Sequence, residues 1–558
     1  MTTFYRRFLP EFNAKSRTSV PPQANWAPPV NPQKLGNNRP NALSLLGISG
    51  LLGLTGILSS CASQVNLAQD VSAESAKPQA FLEGTLSGVK PDQAYSTKPW
   101  ASKTQEASTF AGQAQSFEWT KSIPERWWEM FGSPQLNTLV NLSLERNPNL
   151  AAANAALSQA RANYAASYGA LALPSVNTQL STVRERASQA TTNVPGGSLF
   201  SLYNASINVS YSVDLFGANK AVIEGQKALI DLQAYQSRAA QLSVMGNVLT
   251  AAIKEASLKA QINETQKILQ LQEKQLDILR RQQNLGAIGL SPILVQEGLI
   301  AQTRSSLPAL EKSWELVKNQ ITVLTGALPS GSDYKSIELQ QLKLPTELPT
   351  SLPSQLIGHR PDILASMANL NQAVASLGLA KANLYPQINL TTSIGSTATQ
   401  TNNFFSTPWS FWTLGAGLTA PIFNGGALNA RVSAAKAGYE GAYYQYKSTV
   451  LNAFENVSDA LNAVTYDAQT LQLLAQAEQI ANKSLTLSQN QYQLGAVNFN
   501  VVLEAQKTYA QARLNLISAQ ANRFADTVAL IQAMGGAAWD PQMTANTNLS
   551  DLKVSRQP

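Results

Sequence analysis

The stretches "LGAIGLSPILVQEGLIAQTRSSL" (residues 285–307) and "LGAVNFNVVLEAQKTYAQARLNL" (residues 494–516) align without a gap. They share Leu285/Leu494, Gly286/Gly495, Ala287/Ala496, Leu294/Leu503, Ala301/Ala510, Gln302/Gln511, Arg304/Arg513 and Leu307/Leu516. The offset is constant at 209 residues and persists to Gly326/Gly535. Upstream, "NPNLAAANAALSQARANYAASYGALALPSVN" (147–177) corresponds to "RPDILASMANLNQAVASLGLAKANLYPQIN" (360–389) with one residue of slippage. The body of the chain therefore reads as a duplicated unit of about two hundred residues, a period too long for a solenoid repeat.

Within each copy the hydrophobic pattern switches between helical and alternating periods. In "YNASINVSYSVD" (203–214), Tyr203, Ala205, Ile207, Val209, Tyr211 and Val213 share one face, and Asn204, Ser206, Asn208, Ser210, Ser212 and Asp214 the other. That is a strand wet on one side. The second copy sets Trp412, Leu414, Ala416, Leu418, Ala420 and Ile422 against Thr413, Gly415, Gly417 and Thr419, and earlier strands begin near Val176 and Ile388. Each copy thus supplies one strand hairpin. Charges vanish over residues 187–213 and 382–430, as in a lipid-facing band, although a soluble sandwich would alternate likewise.

The helical parts are very long. No proline occurs over residues 219–285, where Leu258, Ile262, Thr265, Leu269, Gln272, Leu276, Leu279 and Gln283 step by four and three along a heptad seam. At the α-helical rise this segment would extend about 100 Å, with Gly225 and Gly246 as its weak points. Residues 427–494 mirror it, the seam being Leu473, Ala477, Ile480, Ser484, Leu487, Gln491 and Leu494. Gly286 and Gly495 suit left-handed C-terminal caps, and Ser291 followed by Pro292 suits the N-cap and first position of a return helix. Two long helical hairpins result.

The chain has 558 residues and a single cysteine, Cys61, which excludes intrachain disulfides and cysteine-rich zinc modules. Residues 42–58 are uncharged and follow Arg39; the run matches the apolar core of a secretory signal better than a spanning helix of about 20 residues. "LSSC" (58–61) is then a lipoprotein-signal-peptidase pattern, making Cys61 the first mature residue, carrying diacylglycerol and an N-acyl chain. The sequence predicts no other cofactor. Ala62 and Ser63 follow without the aspartate of inner-membrane retention, which points to the cell outer membrane. "YRRFLPEF" (5–12) is similar to a twin-arginine signal but lies too far from the apolar run. Six basic residues and one acidic residue lie in the first sixty, so the net charge of +7 falls to 35 basic against 33 acidic residues afterwards. No basic cluster remains, and nucleic acid is excluded as a partner. The lone histidine, His359, precedes a helix as a turn or cap residue, and no acid/base pair is recognisable, so the chain is no enzyme.

An apolar-faced strand hairpin in lipid cannot leave its backbone edges unpaired, so the sheet must close. Four strands cannot close alone, because single-chain barrels begin at about eight. Three chains would give twelve. The fold class read from this is an α+β membrane protein: a trimeric outer-membrane β-barrel of four strands per chain, continued by a long periplasmic α-helical barrel. The expected divisions are a lipoprotein signal region (1–60), an acylated N-terminus and flexible tether (61–115), a first repeat (116–329), a linker near the tunnel equator (330–352), a second repeat (353–539) and a tail (540–558).

These residues together resemble the TolC-type outer-membrane efflux factor family, in particular its lipid-anchored branch serving resistance-nodulation-division pumps. The similarity runs from "WWEMFGSPQLNTLVNLSLERNPNL" (127–150) to "LIQAMGGAAW" (530–539), and its most specific pieces are "GHRPDILASMANL" (358–370), "LYPQINL" (384–390) and "PIFNGGALNARV" (421–432). The resemblance implies a homotrimer joined to a periplasmic adaptor and an inner-membrane resistance-nodulation-division transporter. It would serve as a passive exit duct for drugs or other small toxic compounds. It implies adaptor docking at the hairpin tips, here Gly286, Ala287, Ile288, Ser291, Gly495, Ala496 and Val497. It also implies a gate near the second tip, where "YQLGAVNFNVVLEAQ" (492–506) supplies Tyr492 and places Glu504 where an aspartate is common. Val497 and Val501 stand where some relatives carry charge, so the implied gate rests on Tyr492, Glu504 and apolar packing rather than an aspartate ring. Three such carboxylates around one axis would raise each other's proton affinity; a solvated helix-surface glutamate is the other reading. Two further functions fit the same sequence: the conduit of a type I protein secretion system, and a coiled-coil structural lipoprotein without a pore.

Overall fold

The computed structural model describes residues 77–86, 102–118, 122–192, 195, 197–331, 334–350, 353–404 and 406–537. The signal region, Cys61 and the tail at 540–558 lie outside the described residues. In chain order the main elements are α1 (Lys77–Leu86), β1 (Ser116–Glu118), α2 (Pro134–Arg146), α3 (Pro148–Ala172), β2 (Ser175–Ala187), β3 (Ser198–Val213), α4 (Ala218–Asn284) and α5 (Ser291–Leu324). They continue with β4 (Glu347–Pro349), α6 (Pro353–His359), α7 (Pro361–Ala382), β5 (Gln387–Ala398), β6 (Ser410–Thr419), α8 (Ala427–Gln493) and α9 (Phe499–Ala533).

The two longest helices, α4 and α8, are each 67 residues. Both begin after a left-handed glycine, Gly217 and Gly426, and run unbroken. Gly225 and Gly246, expected as weak points, interrupt nothing. Gly246 is instead where α9 comes closest: a Cβ there would sit 1.6 Å from Gln532 Nε2, and that amide donates to the Leu242 carbonyl at 3.4 Å. Toward its C-terminal end α4 packs on α5, and toward the other end on α3 and α7; α8 packs in the same way on α9 and α7.

Proline-led starts recur because a proline at the first turn costs no hydrogen bond. Ser133 caps α2 by accepting from Leu136 N at 3.3 Å, and Asn147 caps α3 by accepting from the amides of Asn149 and Leu150. Asn147 also donates to Leu324 O at the end of α5, 3.0 Å away. In the second half Arg360 plays the corresponding part, donating to Ala533 O at the end of α9 (2.6 Å) and to Ala453 O (3.3 Å) while Asp362 grips its other edge at 2.7 Å. Unsatisfied helix-end carbonyls are thus closed by the residue ahead of the next proline-led helix. His359 is the last residue of α6. Helix α7 is long and apolar enough to cross a membrane, yet it lies along α4 and α8.

The four long strands form one antiparallel sheet in the order β2-β3-β5-β6. Register sets Val176 opposite Val209, Ile207 opposite Ile394 and Ile394 opposite Trp412, so one face is apolar, with Val176, Leu180, Ile394, Trp412, Leu414 and Leu418 exposed. The other face presents Asn177, Gln179, Asn208, Ser210, Ser393, Thr413 and Gly415. Among the described residues β2 and β6 are open edges.

The largest hydrophobic cluster lies half-way along the long helices, where Val244–Ala256 and Val457–Val464 side chains meet Trp127, Trp128, Phe131, Phe524 and Val528. The linker joins it through Ile337, Leu339, Leu342, Leu344 and Leu348, and β4 pairs in parallel with β1.

Two expectations need correction. Within the expected flexible tether, the described residues 77–86 and 102–115 are packed on the body: α1 sets Phe81 and Leu82 against the cluster around Tyr439 and Tyr446. Residues 102–115 lie on α9, where buried Arg523 donates to Thr104 Oγ1 (3.4 Å), Gln113 O (3.3 Å) and Val464 O (2.8 Å). Gln115 Nε2 adds bonds to Pro345 O (2.9 Å) and Thr527 Oγ1 (3.0 Å). Order there comes from distant polar partners, which leave no periodic signal. The second correction concerns the α8 seam. In α4 the expected seam is the covered one, with Ile262, Thr265, Gln272, Leu276 and Leu279 buried. In α8 the covered side chains are Leu471, Ala475, Ala481, Leu485 and Ser488, whereas Leu473, Ile480, Leu487 and Leu494 are exposed. On α4, Leu271, Ile278 and Leu285 are exposed, at positions 209 residues before three of these. Each long helix therefore has two stripes, and in α8 the chain covers the one running from Leu471 to Ser488 while leaving Leu473, Ile480 and Leu487 bare.

Candidate functional site

The two hairpin tips close in the same way. At the first, Gly286 has φ 74°, its amide bonds Gln283 O at 2.8 Å, and the Ala287 amide bonds Gln282 O at 2.9 Å. At the second, Gly495 has φ 73°, with Gly495 N to Tyr492 O at 3.0 Å and Ala496 N to Gln491 O at 2.9 Å. Both are Schellman ends, in which glycine supplies the left-handed residue that other residues adopt at a cost. Ser291 does not cap α5: Leu290 occupies the cap position in a right-handed conformation with no side-chain cap bond, and Ser291 is already helical.

A compact apolar cluster ties the tips together, using Leu276 and Leu279 of α4, Ile293, Leu299 and Ile300 of α5, and Phe499, Val502 and Leu503 of α9, with Ile288 and Tyr492 packed against it. Tyr492 Oη donates to Gln282 Oε1 at 3.1 Å, a bond between the two hairpins. Its ring meets Phe499 edge-on at 5.6 Å. Burial raises the Tyr492 phenol above its ordinary value, so the hydroxyl remains a donor throughout the physiological range.

Glu504 is in a different environment. Its side chain is 75% exposed with Lys507 Nζ at 4.0 Å. It lines a polar groove of about 560 Å³ with Ser484, Ser488, Asn498, Asn500, Val501 and Thr508. The structure brings Tyr492 to Gln282 and does not bring it to Glu504.

Arg513 is a fastener that the duplicated pattern alone does not reveal. Its guanidinium binds Glu264 of α4 in bidentate fashion (3.1 and 3.3 Å) and Glu478 of α8 at 3.4 Å, locking α9 to both long helices. Glu478 falls on the covered stripe of α8, and a charge in a seam position is the signal that could have found it.

The outer membrane efflux protein family model matches residues 139–327 and 352–536. This chain belongs to the outer membrane efflux protein family. Among curated relatives, the pyoverdine export outer membrane protein OpmQ of Pseudomonas putida is 28% identical over 422 residues, covering 75% of this chain and 89% of the relative. The cation efflux system protein CusC of Escherichia coli is 26% identical over 416 residues, covering 74% and 88%. Among solved structures, VceC of Vibrio cholerae aligns with a TM-score of 0.69 at 25% identity, over 74% of this chain and 99% of that one. The open state of the Neisseria gonorrhoeae MtrE channel aligns at 0.68 and 25%, over 79% and 97%. The chain is thus an outer-membrane protein of efflux, in a family of transport ducts.

Proposed function

We propose that three copies assemble into one passive exit duct, the outer-membrane part of a tripartite pump. The carrying observation is the pair of uncovered apolar surfaces, the sheet face with its two open edges and the heptad stripes of α4 and α8. Edge closure between chains would give a barrel of twelve strands with the Asn/Ser/Thr face inward, and stripe-to-stripe packing would continue it as a helical tunnel. An inner-membrane resistance-nodulation-division transporter would deliver drugs or other small toxic compounds, and a periplasmic adaptor would dock at Gly286–Ile288, Ser291 and Gly495–Val497. Relatives are named for export of pyoverdine, cations and toluene, which suits a duct that accepts whatever its transporter delivers. In this reading the Tyr492–Gln282 bond holds the tip closed, Glu504 lines the polar groove beside it, and acylated Cys61 anchors the chain. The test is single-channel recording of the purified full chain in planar bilayers, with its mass in mild detergent. A monomer without conductance would refute the duct.

A further inference from the structure

Over residues 175–213 and 382–430, which contain all four strands of the main sheet, the only charged residues are Arg184, Glu185 and Arg186. All three lie near the end of β2 that is remote from the helices. Register places Arg184 opposite Ser201 and Arg186 opposite Leu199, on the same apolar face as Leu180, Thr182 and Tyr203. Glu185 lies opposite Phe200, on the other face.

Immediately beside them is a pocket of about 470 Å³ lined by Leu180, Ser181, Thr182, Tyr203, Thr401 and Phe404, within the roughly 300–1,000 Å³ typical of small-ligand sites. Thr401 and Phe404 come from the β5–β6 connection. That segment is held in place by Ser396, whose hydroxyl donates to the carbonyls of Phe404 and Trp409. The pocket lining presents mostly apolar surface, and from Leu180 to Arg184 is about 13 Å along the strand. Arg184 and Arg186 stand two residues apart on one side of the strand, about 7 Å along the backbone, and arginine is suited to planar, bidentate recognition of phosphate.

We propose that this pocket and the two arginines form a site for an anionic lipid, namely a glycolipid carrying phosphates on its sugar, as in the outward leaflet of an outer membrane. One acyl chain lies along Leu180, Tyr203 and Phe404, and Arg184 and Arg186 hold the phosphates at headgroup level. The commitment to a glycolipid follows from position: the helices attach at the opposite ends of the strands, so the arginines face outward. The proposal rests on the sheet lying in the membrane with its apolar face toward lipid.

The test uses the full chain in nanodiscs of phosphatidylethanolamine doped with bis-phosphorylated lipid A, dephosphorylated lipid A or phosphatidylglycerol. Retained lipid is read by native mass spectrometry, and conductance is measured on the same samples. The wild-type chain is expected to retain the bis-phosphorylated glycolipid at least tenfold over the dephosphorylated form. The R184Q/R186Q variant, with assembly and conductance unchanged, is expected to lose that preference, and R184K/R186K to recover part of it. Equal retention by wild type and R184Q/R186Q overturns the site, and equal retention of phosphatidylglycerol overturns the glycolipid assignment. Conductance that persists while selectivity fails refutes the lipid site alone. Absent conductance in every sample refutes the duct reading beneath it.

Discussion

The bare stripe of α8 allows a quantitative test of assembly. Ile480 and Leu487 are 67% and 57% exposed, whereas Leu485, two residues from Leu487, is 8% exposed. Burying a whole leucine or isoleucine side chain is worth about 1.5–3 kcal/mol, so covering what remains open on these two residues contributes roughly 1–2 kcal/mol each. Ile480→Gln with Leu487→Gln keeps helix propensity nearly constant and removes about 2–4 kcal/mol per chain-to-chain contact. A ring with three contacts loses about three times that, and every 1.4 kcal/mol is a factor of ten in association. Light scattering in mild detergent should show the double variant dissociating at concentrations where the wild type stays assembled, with far-UV circular dichroism unchanged. Leu485→Ala should behave oppositely, costing about 2–5 kcal/mol of folding stability through a cavity inside the chain. A double variant that remains assembled through detergent dilution would refute the assignment of this stripe to a neighbouring copy.

Other outcomes follow from single groups. Arg360→Ala strips two carbonyls of a buried cationic donor and should cost about 3–6 kcal/mol, at about 1.5–3 kcal/mol per bond. Arg360→Lys should recover less than half of this, as read by chemical denaturation. Burial, together with a hydrogen bond to Asp467, raises the Asp526 carboxyl from 3.8 to about 8. Its stabilising contribution is complete below the unfolded value and disappears as pH rises through about 8. Thermal stability should therefore decline from pH 4 to pH 8, and Asp526→Asn should flatten that decline in a pH-scanned melt. Tyr492→Phe removes the bond to Gln282 and should raise spontaneous conductance several-fold.

What the sequence conveyed depended on whether an interaction leaves a period. The tips were legible because glycine is the residue suited to the left-handed step at 286 and 495, and the strands because side chains alternate at a period of two. The α4 seam was legible since one stripe dominates there. In α8 the stripe from Leu473 to Leu494 outweighed the one from Leu471 to Ser488 that the chain packs internally, and no count of apolar residues says whether a neighbour belongs to the same molecule. Asn147 and Arg360 perform one task with different chemistry, so comparison of the two halves conceals it. The ordering of residues 102–115 and the three-helix clasp of Arg513 depend on partners up to several hundred residues away. The separation of Tyr492 from Glu504 is a matter of helix phase around the second tip, which spacing alone did not resolve.

The equal span of α4 and α8 limits how such a chain can change in length. One residue added to either helix would turn its tip by about 100° and advance it by about 1.5 Å, misaligning both the clasp at Arg513 and the contact between the two turns. Viable changes in reach should therefore come in sevens and in both halves together, so that the length of the molecule is a stepped quantity.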